Sequence, residues 1–238
     1  MKYFLYIVLV ISFVFPGCKK ESNPISFVND NSLKIAGKIS NYDGEAEIIY
    51  YYDLSADSTT TFSSNIKSDG SFNFSIPVPS DSSLHFYTPF NYISVINGDS
   101  SIFIDSINIG NSKLKYHRYD LIAQSKSPIV YGISINQAKI SNQGENAKIG
   151  DYFISYYYFN LQTTIQGYSK WRVVTSDSAR EIITEFSINT KVGWNKIIYT
   201  YDSNSNNKTI FKVTNINVEM GDWIIGSSDS FTNGMRRF

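Results

Sequence analysis

The sequence predicts an all-β chain arranged as antiparallel β-sandwiches. Three observations carry this. Apolar residues recur with a period of two almost everywhere from Leu33 onward, no segment sustains the 3.6-residue period of a helix, and turn-forming clusters separate the runs at short intervals. Composition agrees: aromatic residues make up 16% of the chain and charged residues 18%, with Ser, Asn and Thr filling the polar positions. That balance fits a β-rich exported protein and argues against a disordered one.

The elements follow in order. Leu33-Lys34-Ile35-Ala36-Gly37-Lys38-Ile39 alternates and reads as a strand; Tyr42-Asp43-Gly44 is a turn; residues 45–52 are a second strand. Thr60, Phe62, Ser64 and Ile66 lead into Ser68-Asp69-Gly70, and Phe72, Phe74 and Ile76 lead out. Asp-Gly between alternating runs predicts a hairpin, because Gly takes positive φ without steric cost. Pro77 and Pro79 end the pairing. Further strands are predicted at residues 84–87, 92–96, 101–109, 113–123, 129–135, 151–159, 161–165, 181–188, 194–201, 209–216 and 222–225, with one helical turn at 176–181. The break at Gly110-Asn111-Ser112 divides the chain into a first sandwich over 31–110 and a second over 111–238. One continuous sandwich is the alternative.

The N-terminus carries a different signal. Lys2 is followed by an apolar run from Tyr3 to Phe15, then Pro16-Gly17-Cys18. A positive start, an apolar stretch and a small residue before a cut point make a secretory signal. The run is short of the roughly 20 residues that span a bilayer. An anchor that is never removed, or ordinary cleavage beside an incidental cysteine, are the competing readings. Against the latter, Cys18 is the only cysteine of the chain and directly follows Gly17.

Gly17-Cys18 resembles the lipobox of bacterial lipoproteins, although Phe15 and Pro16 depart from its usual Leu and small polar residue. The resemblance implies a signal peptide over 1–17, acylation of Cys18 and a lipid-anchored chain with Cys18 as its new N-terminus. It also implies the outer membrane, since Lys19 and not Asp follows the cysteine. One acyl chain binds reversibly, at roughly 0.8 kcal/mol per buried CH₂, whereas two or three hold stably. Residues 18–30, with Asn23-Pro24 and Asn29-Asp30, read as a tether. An acylated Cys18 leaves no thiol for a disulfide, so core packing alone must hold the fold.

Ile35-Ala36-Gly37-Lys38-Ile39 and Ser68-Asp69-Gly70-Ser71-Phe72-Asn73-Phe74-Ser75-Ile76-Pro77 resemble the carboxypeptidase-regulatory or transthyretin-like sandwich, an Ig-like module. The resemblance implies a fold and no catalysis. Lys191-Val192-Gly193-Trp194-Asn195-Lys196-Ile197-Ile198-Tyr199 is similar to a stretch of secreted bacterial proteins with the same kind of N-terminal module, and implies no activity.

Candidate chemistry is sparse. Lys+Arg and Asp+Glu are 21 each, so no basic field is present to hold nucleic acid. Gly98-Asp99-Ser100 matches the nucleophile block of a GDSL-type esterase, but such a serine needs a general base, normally a late histidine. His85 and His117 are the only histidines, and neither lies in the last half. Without Cys or paired His partners they predict no zinc site. Asp202-Ser203-Asn204-Ser205-Asn206-Asn207 starts like a calcium loop but lacks the Gly at position six and the Glu at position twelve, which are Asn207 and Val213. It reads as a turn. Asn73-Phe74-Ser75 and Asn207-Lys208-Thr209 fit the glycosylation sequon.

The aromatic runs say more. Tyr50-Tyr51-Tyr52 and Tyr156-Tyr157-Tyr158-Phe159 place rings on both faces of their strands. Either a second layer covers the other face, or exposed rings form a platform for sugars or a partner protein, for which Tyr51, Tyr157 and Trp171 are the candidates. The expected function is a membrane-tethered, non-enzymatic binding or structural module without cofactor or metal. A glycan-binding accessory lipoprotein is the alternative. An enzyme would require a clustered acid and base near Asp151, Asp177 or Asp222.

Overall fold

The computed structural model describes residues 26–27, 31–53, 60–88, 91–96, 99–119, 121–125, 133–141, 148–175, 178–205, 207–216 and 221–225. Strands and turns make up this set, with one 3-10 turn at Asp81–Ser83 and no α-helix among the described residues. The strands are β1 (Ser26–Phe27), β2 (Leu33–Lys38), β3 (Ala46–Asp53), β4 (Thr60–Asn65), β5 (Ser71–Ile76) and β6 (His85–Phe86). There follow β7 (Tyr92–Ile96), β8 (Asp99–Ile109), β9 (Lys115–Tyr119), β10 (Leu121–Ser125), β11 (Ile133–Lys139) and β12 (Tyr152–Phe159). The last are β13 (Thr164–Val174), β14 (Ala179–Asn189), β15 (Gly193–Ser205), β16 (Lys208–Thr214) and β17 (Asp222–Ile225). The chain is all-β, as its periodicity predicts.

A small sheet runs β1-β2-β5. A 14-stranded sheet runs β4-β3-β10-β11-β12-β15-β16-β14-β13-β8-β7, with β17 on β11, and β6 and β9 branching from β12. The large sheet is not closed into a barrel. Its branch point explains its shape. β12 pairs through Tyr152, Phe153 and Ile154 with β11, and through Tyr156 to Phe159 with β9. The segment that leaves β12 at Tyr119 rejoins the sheet against β11 at Leu121↔Ile135. One edge of β12 therefore serves two directions, while its other edge pairs along its whole length with β15.

Two cores result. The first packs β2 and β5, through Leu33, Ile35, Phe72, Phe74 and Ile76, against Ile49, Leu121, Ile135, Ile154 and Trp194 of the large sheet. The second lies on the other side of β12 and β15. There Phe153, Tyr157, Phe159, Ile197 and Tyr199 meet Ile182, Ile188, Phe211 and Val213 from β14 and β16. Strand alternation divides the aromatic run: Tyr156 enters the first core and Tyr157 and Phe159 the second. A second layer thus covers both faces.

Several expectations are corrected. The break at Gly110–Ser112 does not separate two sandwiches, because β3 pairs β10, β6 pairs β9 and β8 pairs β13 across it. The Asp69-Gly70 turn forms, with Gly70 at φ 81 and Asp69 accepting from the Ser71 N–H and hydroxyl. It joins different sheets, however, since β4 pairs β3 and β5 pairs β2, so it is a corner between layers and not a hairpin. Ser26–Phe27, within the expected tether, pairs with Leu33 and Lys34. The helical turn at 176–181 is replaced over Ala179–Glu181 by the start of β14; Ser176 and Asp177 lie outside the described residues.

β13 extends to Val174, well beyond the predicted 161–165. Its inward positions include Gly167 and Ser169, with Tyr168 exposed, so hydrophobic alternation is lost. The β14–β16 pair is parallel, because the β15–β16 hairpin inserts beside β14. Residues 190–192 must then step across two strand spacings, about 10 Å, which three extended residues can reach. Thr190 and Asn195 brace this step. The Thr190 hydroxyl accepts from the Thr163 N–H at 2.8 Å, and Asn195 both accepts from and donates to the Lys191 backbone, at 3.0 and 2.8 Å. The Lys191–Tyr199 motif is accordingly architectural, with Gly193 at φ 91.

Trp223 joins the first core to β17. It is 1% exposed, its ring lies edge-on to Phe72, and its Nε1 has no hydrogen-bond partner among the described residues. A Cβ at Gly37 would stand 2.3 Å from its ring atoms. Gly37→Ala is expected to cost about 1–3 kcal/mol through overpacking. Urea unfolding checks this; an unchanged midpoint would show that Trp223 can retreat.

Candidate functional site

The second core contains a partly open apolar cavity of about 50 Å³. One wall is β12 and β15, presenting Tyr157, Phe159, Ile197 and Tyr199. The facing wall is made by two cross-strand rows. Ile109, Ile165 and Ile188 form one, and Ile107, Gly167 and Phe186 the other. Every residue of these rows except Gly167 touches the cavity. Tyr157 and Tyr199 satisfy each other through a 2.7 Å hydroxyl contact.

Tyr87 and Tyr116 add two further hydroxyl-bearing rings to the lining. The Tyr87 hydroxyl donates to Asp105, a residue only 8% exposed, whose other oxygen accepts from the Ile107 N–H at 3.2 Å. Burial, followed by the Asp105 hydrogen bond and charge, pushes the Tyr87 hydroxyl far above the usual phenol range. Burial also raises Tyr116, with Tyr157 as the next cause. The site therefore holds neutral phenols and aliphatic walls. It suits an apolar guest and offers no nucleophile.

A second cluster lies in the first core. His117 is 8% exposed. Its Nδ1 donates to the Ser83 carbonyl at 2.8 Å, which can only accept, and its Nε2 is hydrogen-bonded to the Tyr51 hydroxyl at 2.9 Å. His85 stacks on it at 6.1 Å between centroids. The Ser83 hydroxyl is hydrogen-bonded to the Ser80 hydroxyl at 2.7 Å. Burial on both sides makes the Tyr51–His117 pair a polar clamp between β3, β9 and the 3-10 turn.

The platform expected of Tyr51, Tyr157 and Trp171 does not form an exposed surface. Tyr51 is 3% and Tyr157 7% exposed, in different cores, and Trp171 is half-buried with its Nε1 donating to Ser101. Opposite faces of the sheet separate the two tyrosines. Cys18 lies outside the described residues. So does Gly98, while Asp99 and Ser100 open β8 in place of a nucleophile turn. Asp202 to Ser205 continue β15, and Asp202 pairs with Lys212 at 2.8 Å, which removes the loop a calcium reading needs. No metal-binding cluster of three occurs among the described residues.

Asp151 is buried but occupied: it accepts from the Ser141 N–H and hydroxyl and from the Lys148 N–H, tying the loop before β12. Asp222 is exposed on β17. Among sequon residues, Asn73 and Asn207 are both exposed. Sequence reasoning missed Tyr87, Asp105 and Gly167. Period-two alternation could have flagged Tyr199, but nothing local announces that Gly167 faces inward. No protein-family model, curated protein or solved structure matches the chain.

Tyr156, 3% exposed, donates to Gln137 Oε1 at 2.8 Å, and burial holds its hydroxyl well above its ordinary value. Tyr87 and Tyr116 are shifted the same way. The folded chain therefore keeps these protons at pH values where the unfolded chain has lost them. Stability from these groups is complete below the ordinary value of 10.0 and falls as pH rises above it. The urea midpoint is expected to drop between about pH 9.5 and 11, and less steeply in Tyr156→Phe, by at most about 1.4 kcal/mol per pH unit. Parallel pH curves for the two proteins would contradict this.

Proposed function

We propose that this chain is a lipid-anchored lipoprotein of the cell envelope whose β-sheet body acts as a non-enzymatic binding module. The observation that carries the reading is Cys18, the only cysteine, directly behind Gly17 at the end of an apolar leader that begins after Lys2. Lys19 after the cysteine favours the outer membrane. Acyl chains on Cys18 make the membrane its first partner, and two or more chains hold it there stably. The binding role is supported by the apolar cavity of the second core, which is partly open and lined by rigid rings. A balance of 21 basic and 21 acidic residues supplies no field for nucleic acid. The glycan-binding alternative loses its support, because Tyr51 and Tyr157 are buried.

The anchor is tested by feeding an alkyne-tagged palmitate to cells that express the full chain or Cys18→Ala. Label is expected in the first and absent from the second, which should also leave the membrane fraction. Equal labelling of both would overturn the anchor.

A further inference from the structure

The cavity of the second core is walled on one side by paired side chains of β8, β13 and β14. Gly167 stands between Ile107 and Phe186, on the inward side of β13. Its φ is +126, and a Cβ there would lie 2.2 Å from the Ser106 carbonyl oxygen. No L-residue fits there, so the row Ile107–Gly167–Phe186 carries no side chain at its centre. Strand pairing on both sides of β13 fixes the heights of the flanking side chains, and Ile107 and Phe186 face the cavity.

The cavity selects its occupant by polarity and size. Water needs two to four polar partners, and the Tyr157 and Tyr199 hydroxyls already face each other at 2.7 Å among aliphatic and aromatic walls. An aromatic ring is too large, since benzene occupies apolar cavities of about 150 Å³, whereas this one is about 50 Å³. The tip of a linear hydrocarbon chain fits both limits. Charge restricts its head group: the buried carboxylate of Asp105, held by Tyr87 of the cavity lining, disfavours an anion near it.

We propose that this cavity binds the end of a linear hydrocarbon chain that carries an uncharged head group. The proposal names a ligand class for the binding module inferred above and rests on that reading for its setting. Its test reads cavity occupancy and not acylation, so the two can fail separately.

The full chain, held in nanodiscs of branched-chain lipid, is labelled at isoleucine methyl groups and titrated by NMR. 1-Pentanol and 1-hexanol are expected to shift Ile107, Ile165, Ile188 and Ile197 saturably, with hexanol about four-fold tighter, from one more buried methylene. Ile35, Ile49 and Ile76 of the first core should stay in place. Benzene should leave the cavity methyls unmoved, and hexanoate should bind at least ten-fold more weakly than hexanol. Ile188→Phe fills the space and should abolish the alkanol shifts. Ile165→Ala, at a half-buried position, enlarges it and should admit benzene; this arm stands even where Ile188→Phe does not fold. Non-saturable shifts, equal shifts in both cores, or benzene binding to the unaltered chain would overturn the cavity assignment. Hexanoate binding as tightly as hexanol would overturn the uncharged head group.

Discussion

The architecture depends on β12 and β15 having no face that can meet water. Tyr152, Ile154 and Tyr156 point one way and Phe153, Tyr157 and Phe159 the other, all 7% exposed or less. Burying such side chains contributes about 1.5–3 kcal/mol each relative to exposure, so this strand pair is stable only inside two layers. The chain supplies those layers from both of its halves. β2 and β5 come from the first, β14 and β16 from the second, and β8 crosses over to extend the second layer through β13. The large sheet branches at β12 because a strand with two buried faces has neighbours in two sandwiches.

Tyrosine is an awkward residue for such a position, since each hydroxyl carried inside must find a partner. Three of the inward-facing tyrosines are satisfied in different ways. Tyr156 uses the side chain of Gln137, itself 1% exposed and donating to the Gly221 carbonyl. Tyr157 uses Tyr199 across β15, and Tyr51 uses the histidine of β9. The first pair joins the consecutive strands β11 and β12, and the other two join strands far apart in sequence. They fix register where apolar contacts alone would tolerate slippage, because a one-residue shift would strand each hydroxyl in the opposite core. The rings that suggest a binding platform in the sequence are thus part of the specification of the fold.

Much of this is legible in the sequence and some is not, for a physical reason. Period-two runs mark β2, β5, β8 and β15 because each has at least one face in a well-filled core. Rings on consecutive residues at Tyr156–Phe159 announce a strand covered on both sides. Pairing partners are invisible, since β3 meets β10 more than 60 residues away on roughly the same footing as a neighbour (Tyr50 opposes Ile122). Gly110-Asn111-Ser112 has linker composition, yet the pairing around it is long-range and the segment is only a turn. β13 escapes detection because its inward face holds Gly167 and Ser169 where alternation expects large apolar residues.

That failure of pattern is also what distinguishes the two cores. In the first, the covering layer fills its inward positions with Leu33, Ile35, Phe72, Phe74 and Ile76, each at most 4% exposed. In the second, the covering layer places a carboxylate, a hydroxyl and a second hydroxyl in one row, Asp105, Ser169 and Thr184, beside the row that Gly167 leaves unfilled. Cross-strand ladders hold these rows at fixed spacing, so the shortage of side-chain volume cannot be absorbed by sliding. On the facing wall Phe153 and Tyr199 stack with ring planes 2° apart. The hollow of the second core is walled by bulky residues of the neighbouring rows, Ile107, Ile109, Ile165, Phe186 and Ile188, whose spacing the cross-strand ladders set.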